Sequence, residues 1–463
     1  MEPFEYKGKF WLPDNKSNVL SGTLSFDPEE GGELELLGSF NDIISSDSDN
    51  PKEDIILGVV PGKFVTLYDC FEHQSQISFF QGLSSSLYDV RMIFLGHHFE
   101  TKEEVCFKSI FVDYTYLKDW VGITGIKKFV ETKDNVLTGL KYSFERLPNI
   151  EFSLDDFNLN INFGFHNANG RFKIDLKEKI FLEIVPNESL DLKDYYSKIK
   201  HLQNFLSLGV GKAVYPLSIT GKNEECKLEL KDGEFVLNDI EIYSRFREYK
   251  IPKKRIFSGE MFFSFRDIDE TFEECLNNWL KKSDKLKPVY DLYFGSLYNS
   301  KIYLENYFLN LIQALESYHR KMFDGIYLPK EEYKEVGTIL KNIIPSNVTG
   351  NHLESLKSKI DFGNEFSLKT RLLILFDKFE GIFQILIEDR DEFVKEVRDT
   401  RNFLTHYSEG LEKKAKQGRE LLEVCEKLKF MLEICFLYEL GIPLEKIEEL
   451  VSRDDRYNYL RQA

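Results

Sequence analysis

A chain of 463 residues exceeds what one hydrophobic core usually holds and points to two or three domains. Its 42% hydrophobic and 14% aromatic content makes stable cores available, while a net charge of −17 argues against broad, unselective contact with nucleic-acid backbones. No basic-then-apolar leader opens the sequence and no apolar run approaches membrane length, so a cytoplasmic protein without membrane contact is expected. The six cysteines (Cys70, Cys106, Cys226, Cys275, Cys425, Cys435) form no CxxC or zinc-like pairs. They read as reduced core residues, and no metal or other cofactor is expected.

In chain order, the first stretch reads as β-rich. Short runs at Lys9–Leu12, Val19–Phe26, Glu33–Phe40, Phe64–Tyr68 and Val90–Leu95 are punctuated by Gly, Asn, Asp and Pro at strand spacing. Phe172–Leu176 alternates, and Ile180–Leu182 follows. A sandwich or barrel-like arrangement is expected. A helix over 190–208 interrupts it, and strands return across 214–244. The β-rich region is set at 1–265, followed by a connecting helix and a linker over 266–289, with Lys281–Pro288 as the hinge.

From 290 onward helical periods dominate. Leu304, Tyr307, Phe308, Leu311, Ile312, Leu315 and Tyr318 recur at three- and four-residue spacing. Further helices are expected at 331–343, 351–360, 366–388, 391–407, 411–440 and 443–452, the last with Pro443 in its first turn. The fold class is therefore α+β: a β-rich N-terminal region and an all-α bundle over 290–463.

Several chemical signatures fall short. Leu208-Gly209-Val210-Gly211-Lys212-Ala213 lacks the upstream glycine of a phosphate loop and places Ala213 where a Ser or Thr is needed. Cys70-Phe71-Glu72-His73 and His97-His98 have no second matched pair for a metal. Asp155 and Asp156 are adjacent rather than spaced for paired acid–base work.

Two basic groups stand out on the acidic chain. Arg245, Arg247, Lys250, Lys253, Lys254 and Arg255 surround two aromatics between 245 and 255, and Lys413, Lys414, Lys416 and Arg419 form the second group. Either could follow an RNA backbone, and either could be a solvated surface run.

The second group follows Arg401-Asn402-Phe403-Leu404-Thr405-His406-Tyr407. Cleaving RNA without a metal requires deprotonation of a 2′-OH, neutralisation of the crowded phosphorane charge and protonation of the leaving 5′-oxygen. Histidine serves the proton transfers, and an arginine fork matches phosphate oxygens at any relevant pH. Residues five apart on a regular helix are displaced by about 140°. Arg401 and His406 would converge only at a helix end, at an irregularity or across two subunits, and Ser408-Glu409-Gly410 offers a break just beyond them.

The Arg-Asn start and His-Tyr end within a helical bundle resemble the RNase motif of HEPN domains. The helix bearing Gln313-Ala314-Leu315-Glu316-Ser317-Tyr318-His319-Arg320 looks like the first helix of such a domain, with Glu316 matching its acidic residue. Gly8–Pro13, Leu20–Leu24, Leu34–Gly38 and Gly62–Cys70 resemble the N-terminal domain of ApeA proteins, bacterial anti-phage defence proteins with a C-terminal HEPN domain. The resemblance implies a homo-oligomeric ribonuclease with a composite site, restrained by the N-terminal region as sensor or brake until a phage-encoded trigger releases it, and transfer RNA loops as a frequent target.

On that resemblance His406 is general base or acid and Arg401 stabilises the phosphate charge. Asn402 orients the motif or touches phosphate, and Glu316 holds Arg401; for both, a helix–helix hydrogen bond is an equal alternative. Arg398 is assigned to phosphate binding at most, Tyr407 to base stacking or the core, and His319 to a solvated polar face. The rival reading is a non-catalytic binding or dimerisation module with a β domain recognising protein or carbohydrate.

Overall fold

The computed structural model describes residues 1–463 except 41–51, 77–83, 171–172, 189, 230–234, 247–248, 250, 253, 408 and 462–463. The chain divides into two compact units, Met1–Asn277 and Asn278–Ala463.

In the N-terminal unit six antiparallel strands close into a barrel: β1 (Phe4–Leu12), β2 (Asn15–Asp27), β3 (Gly31–Leu37), β4 (Lys52–Val60), β5 (Lys63–Gln76) and β6 (Ser85–Leu95). The circuit runs β1-β2-β3-β6-β5-β4 and returns to β1 through Phe10 opposite Gly58. Alternation in β3 sets its inward face: Gly32, Leu34 and Leu36 are buried while Glu33, Glu35 and Leu37 are exposed. Closure leaves few sheet edges to protect.

The far half of β6 also pairs with a second antiparallel sheet. It is built from β7 (Ser109–Tyr114) and from β10 to β14, which follow a short helix, α1 (Leu117–Val121), and a separate hairpin, β8 (Ile126–Lys133) and β9 (Val136–Phe144). These later strands are β10 (Ile150–Ser153), β11 (Phe157–Gly170), β12 (Lys173–Pro186), β13 (Pro216–Glu229) and β14 (Phe235–Ser244), ordered β10-β11-β12-β7-β13-β14.

Helix α2 (Leu192–Val210) packs on this sheet, its N-terminus capped by the Asp191 carboxylate accepting from the Asp194 N–H at 2.8 Å. Tyr114 and Tyr195 hydroxyls donate to the Ile199 and Phe107 carbonyls across the contact. The glycines of the rejected phosphate loop have structural roles here. A Cβ on Gly209 would lie 2.6 Å from Trp120 Nε1, and Gly211, at φ 72°, closes the helix in the left-handed conformation.

The C-terminal unit is helical. Helix α3 (Phe272–Lys281) contains the division between the units, and α4 (Ser283–Tyr298) begins one residue after it ends. The Lys281–Pro288 stretch expected as a hinge is thus helical. Lys282 N–H bonds the Asn278 carbonyl, and Leu286, Val289, Tyr290, Tyr293 and Phe294 bury one face whose packing outweighs the bond lost at Pro288.

Helices α5 (Leu304–Met322), α6 (Lys330–Asn342), α7 (Gly350–Asp361), α8 (Leu368–Lys378), α9 (Glu380–Phe383), α10 (Arg390–His406), α11 (Glu409–Glu412), α12 (Gly418–Glu439), α13 (Leu444–Arg453) and α14 (Asn458–Arg461) follow. The helix expected over 366–388 breaks at Phe379, whose ring is buried against Phe383 and Tyr438. Pro443 is the residue before α13 rather than a member of it.

Helix α12 is central and buries two carboxylates. Glu433, wholly buried, accepts from the Tyr293 and Tyr457 hydroxyls, both at 2.7 Å, and from Arg456 at 3.1 Å. Burial alone would push its carboxyl upward, but Arg456, Lys429 and the two hydroxyls outweigh it and hold the group below the usual range. Glu439 receives the Tyr318 hydroxyl and the Lys282 ammonium, each at 2.8 Å. All six cysteines are free, five of them buried. Among the described residues no helix is long and apolar enough to cross a membrane.

Candidate active site on the tenth helix

The Asp389 carboxylate accepts from the Glu392 N–H at 2.9 Å and starts α10, which buries Phe393, Val394 and Val397. The helix packs on α8 and touches α5. It ends at His406 because Tyr407 turns left-handed, φ 49° and ψ 40°, with its N–H bonded to the Phe403 carbonyl at 2.6 Å. The break therefore comes one residue before the expected Ser408, which lies outside the described residues.

Both motif residues are within the regular helix, so their side chains leave it about 140° apart. Arg401 is half-buried and its Nη1 donates to the Asn402 side-chain oxygen Oδ1 at 3.1 Å. Thr405 Oγ1 donates to the Arg401 carbonyl at 2.7 Å. His406 is exposed and has no hydrogen-bond partner among the described residues. Tyr407 is 72% exposed with its ring edge-on to Phe403, a position open to stacking rather than core.

A helix C-terminus carries partial negative charge and disfavours a phosphate by roughly 0.3–1 kcal/mol. Cations must offset it, and most nearby ones are already paired. Arg398 grips the buried Asp399 at 2.7 and 2.8 Å, Lys416 pairs with Glu396 at 2.8 Å and Arg419 with Glu423 at 3.1 Å. The Glu396 hydrogen bond raises the Lys416 ammonium's pKa despite some burial. Lys413 and Lys414 are exposed and unpaired among the described residues, leaving them and Arg401 as the readiest phosphate partners. The Lys416 N–H also bonds the buried Thr400 hydroxyl at 3.0 Å, tying the entry of α12 to α10.

Glu316, on the neighbouring α5, is engaged by Arg320 one turn on, at 3.0 Å, rather than by Arg401. Arg320 in turn meets Glu365. The polar face expected at His319 is instead buried: its ring stacks on Phe323 at 5.1 Å, and Nδ1 faces Arg371 Nη1 at 3.1 Å. Burial first, then the Arg371 and Arg320 charges, lower its pKa to about 4. Arg371, 2% exposed, also donates to the Phe366 carbonyl at 3.1 Å. This pair was missed because the contact joins residues 52 apart. The available signal was an arginine on the apolar stripe of Leu372, Leu375 and Phe376.

The first basic group belongs to the N-terminal unit. Arg245 Nε donates to the Glu29 carbonyl at 2.7 Å, Lys254 and Arg255 are exposed, and Tyr249 is buried. Arg247 and Lys253 lie outside the described residues.

The chain matches two family models: ApeA N-terminal domain 1 over residues 5–279 and Apea-like HEPN over residues 309–446. The second interval contains Glu316, Arg401 and His406. No curated protein and no solved structure matches the chain.

Proposed function

Because the chain belongs to the ApeA family and ends in an Apea-like HEPN domain, we propose that it is a metal-independent endoribonuclease of anti-phage defence. Family membership supports a HEPN-type nuclease in ApeA-like defence. The finer reading rests on one observation: Arg401 and His406 share the end of α10, with the histidine exposed and the arginine holding only Asn402.

A histidine from one copy removes the 2′-OH proton, and the resulting oxygen attacks phosphorus. Arg401 forks onto the non-bridging oxygens as charge builds, offsetting the unfavourable helix end. The 5′-oxygen leaves with the proton that the histidine now carries, giving a 2′,3′-cyclic phosphate and a 5′-hydroxyl. Two copies are needed because one helix directs the two side chains apart. Asn402 steadies Arg401, Glu316 acts through Arg320, and Arg398, Lys413, Lys414, Lys416 and Tyr407 follow the RNA, a transfer RNA loop fitting so short a cationic stretch. Arg245, Arg247, Lys253, Lys254 and Arg255 are a secondary contact. Residues 1–265 restrain the nuclease in the cytoplasm until a phage product releases it, 266–289 connect, and 290–463 cut.

A non-catalytic binding module is the alternative, favoured by the net charge of about −5 over 291–463 and by the cations already in ion pairs. Phage challenge of cells carrying the wild type, His406→Ala or Arg401→Ala separates them. The ribonuclease reading expects both variants to lose protection and 2′,3′-cyclic phosphate ends. Unchanged protection by both would leave the binding module.

A further inference from the structure

Hairpin β8–β9 pairs with neither the barrel nor the second sheet. Its strands pair from Ile126 opposite Phe144 to Lys133 opposite Val136 around Asp134 and Asn135, both left-handed at φ 51° and 60°. Its base is fastened: the Gly125 N–H donates to Glu178 at 2.7 Å, and Phe144 meets Phe165 at 5.0 Å. Beyond the base almost nothing is covered. Val130, Leu137, Leu140 and Tyr142 are 54, 59, 49 and 57% exposed.

Register sorts the side chains. Val130 pairs with Leu140, Tyr142 with Lys128 and Leu137 with Thr132, so one face is chiefly apolar. The opposite face carries Lys127, Lys133 and Lys141 with Glu131 around Phe129 and Val136, a net positive charge, and Lys127 also pairs with Glu145 at 3.3 Å. The hairpin has four lysines and two acidic residues, on a chain of net charge −17. Both outer edges leave backbone groups unpaired by this two-stranded sheet. An isolated two-stranded hairpin is marginal in water, and an uncovered apolar face marks an interaction surface.

We propose that β8–β9 is a docking arm that accepts an extended strand of another protein, apolar on one side and bearing Asp or Glu on the other. Strand addition satisfies one free edge through backbone hydrogen bonds. The added strand's apolar side chains extend the Val130–Leu140 face, and its carboxylates meet Lys127, Lys133 and Lys141. Val130, Leu137 and Leu140 are aliphatic, and the two exposed aromatics, Tyr142 and Phe129, lie on opposite faces, so neither face offers successive stacking platforms for bases, which argues against RNA. The net positive charge that Lys127, Lys133 and Lys141 leave on this face beside Glu131 opposes pairing with a second copy's hairpin.

The test uses the full chain and reads peptide binding rather than RNA cleavage, so its outcome is independent of the ribonuclease reading. The probe is a labelled eight-residue peptide alternating valine and glutamate, with a valine–lysine peptide as control. The proposal expects saturable binding of the first, slowed amide exchange within 126–144, and at least tenfold weaker binding of the control. Val130→Ser with Leu140→Ser weakens binding at least tenfold. Lys127→Glu, Lys133→Glu and Lys141→Glu together reverse the peptide preference, a gain that a misfolded variant could not give. No binding, equal binding of both peptides, protection elsewhere or binding unchanged in the variants would overturn it. So would displacement of the peptide by transfer RNA, or self-association that the charge reversal abolishes.

Discussion

Two places in the helical unit hold charge in opposite ways. On α12, Glu433 is wholly buried and its oxygens are taken up by Tyr293, Tyr457 and Arg456. At the end of α10, His406 is exposed and unpartnered among the described residues, and Arg401 holds only a neutral amide. A buried charge pair with every bond satisfied is committed to structure. A half-satisfied pair at an exposed helix end is free to meet substrate.

The sharpest way to break this contrast is to remove one member from each place. His406→Ala is expected to lower RNA cleavage by roughly 10²–10⁴-fold while moving the unfolding midpoint little, as an exposed change should. Arg456→Met is expected to do the reverse in kind, destabilising the fold by about 3–5 kcal/mol because Glu433 is left charged and buried; chemical denaturation reads it. Equal effects of both on stability would erase the distinction.

Acid sharpens it further. Glu433 is held below its ordinary value, so its stabilisation is complete above the unfolded carboxyl's pKa and is lost as pH falls through the lower folded value. His319 adds a second slope. Its pKa drops from 6.5 to about 4, so between those values the unfolded chain binds more protons and stability falls as pH falls. His319→Gln keeps an acceptor for Arg371 and is expected to flatten stability across that window, as thermal melts at several pH values would show. A smaller effect belongs to the start of α10: Asp389→Ala removes the cap and should cost about 1 kcal/mol in denaturant unfolding.

Much of this was legible in local pattern. Alternation in β3 and the period of α5 placed strands and helices, and the Arg401–His406 spacing already called for a helix end, an irregularity or a second copy. Helix α10 is regular through His406 and ends there, so no irregularity separates the two residues within it. What escaped were long-range events. Glu433 meets Tyr293 across 140 residues and His319 meets Arg371 across 52, and neither partner announces the other in sequence. Helix α4 hid behind a lysine run and Pro288, since breaker signals are local while the buried Leu286–Phe294 face is not. Barrel closure through β1 and β4 likewise depends on a pairing that no single strand encodes.

The claim that Arg401 and His406 act across two copies is tested most directly by co-expressing full-length Arg401→Ala and His406→Ala during phage challenge and measuring 2′,3′-cyclic phosphate RNA ends. Mixed pairs retain one arginine and one histidine on opposite copies, and the account predicts that ends absent from either variant alone return. Ends that stay absent in the mixture, while the wild type produces them, would contradict it.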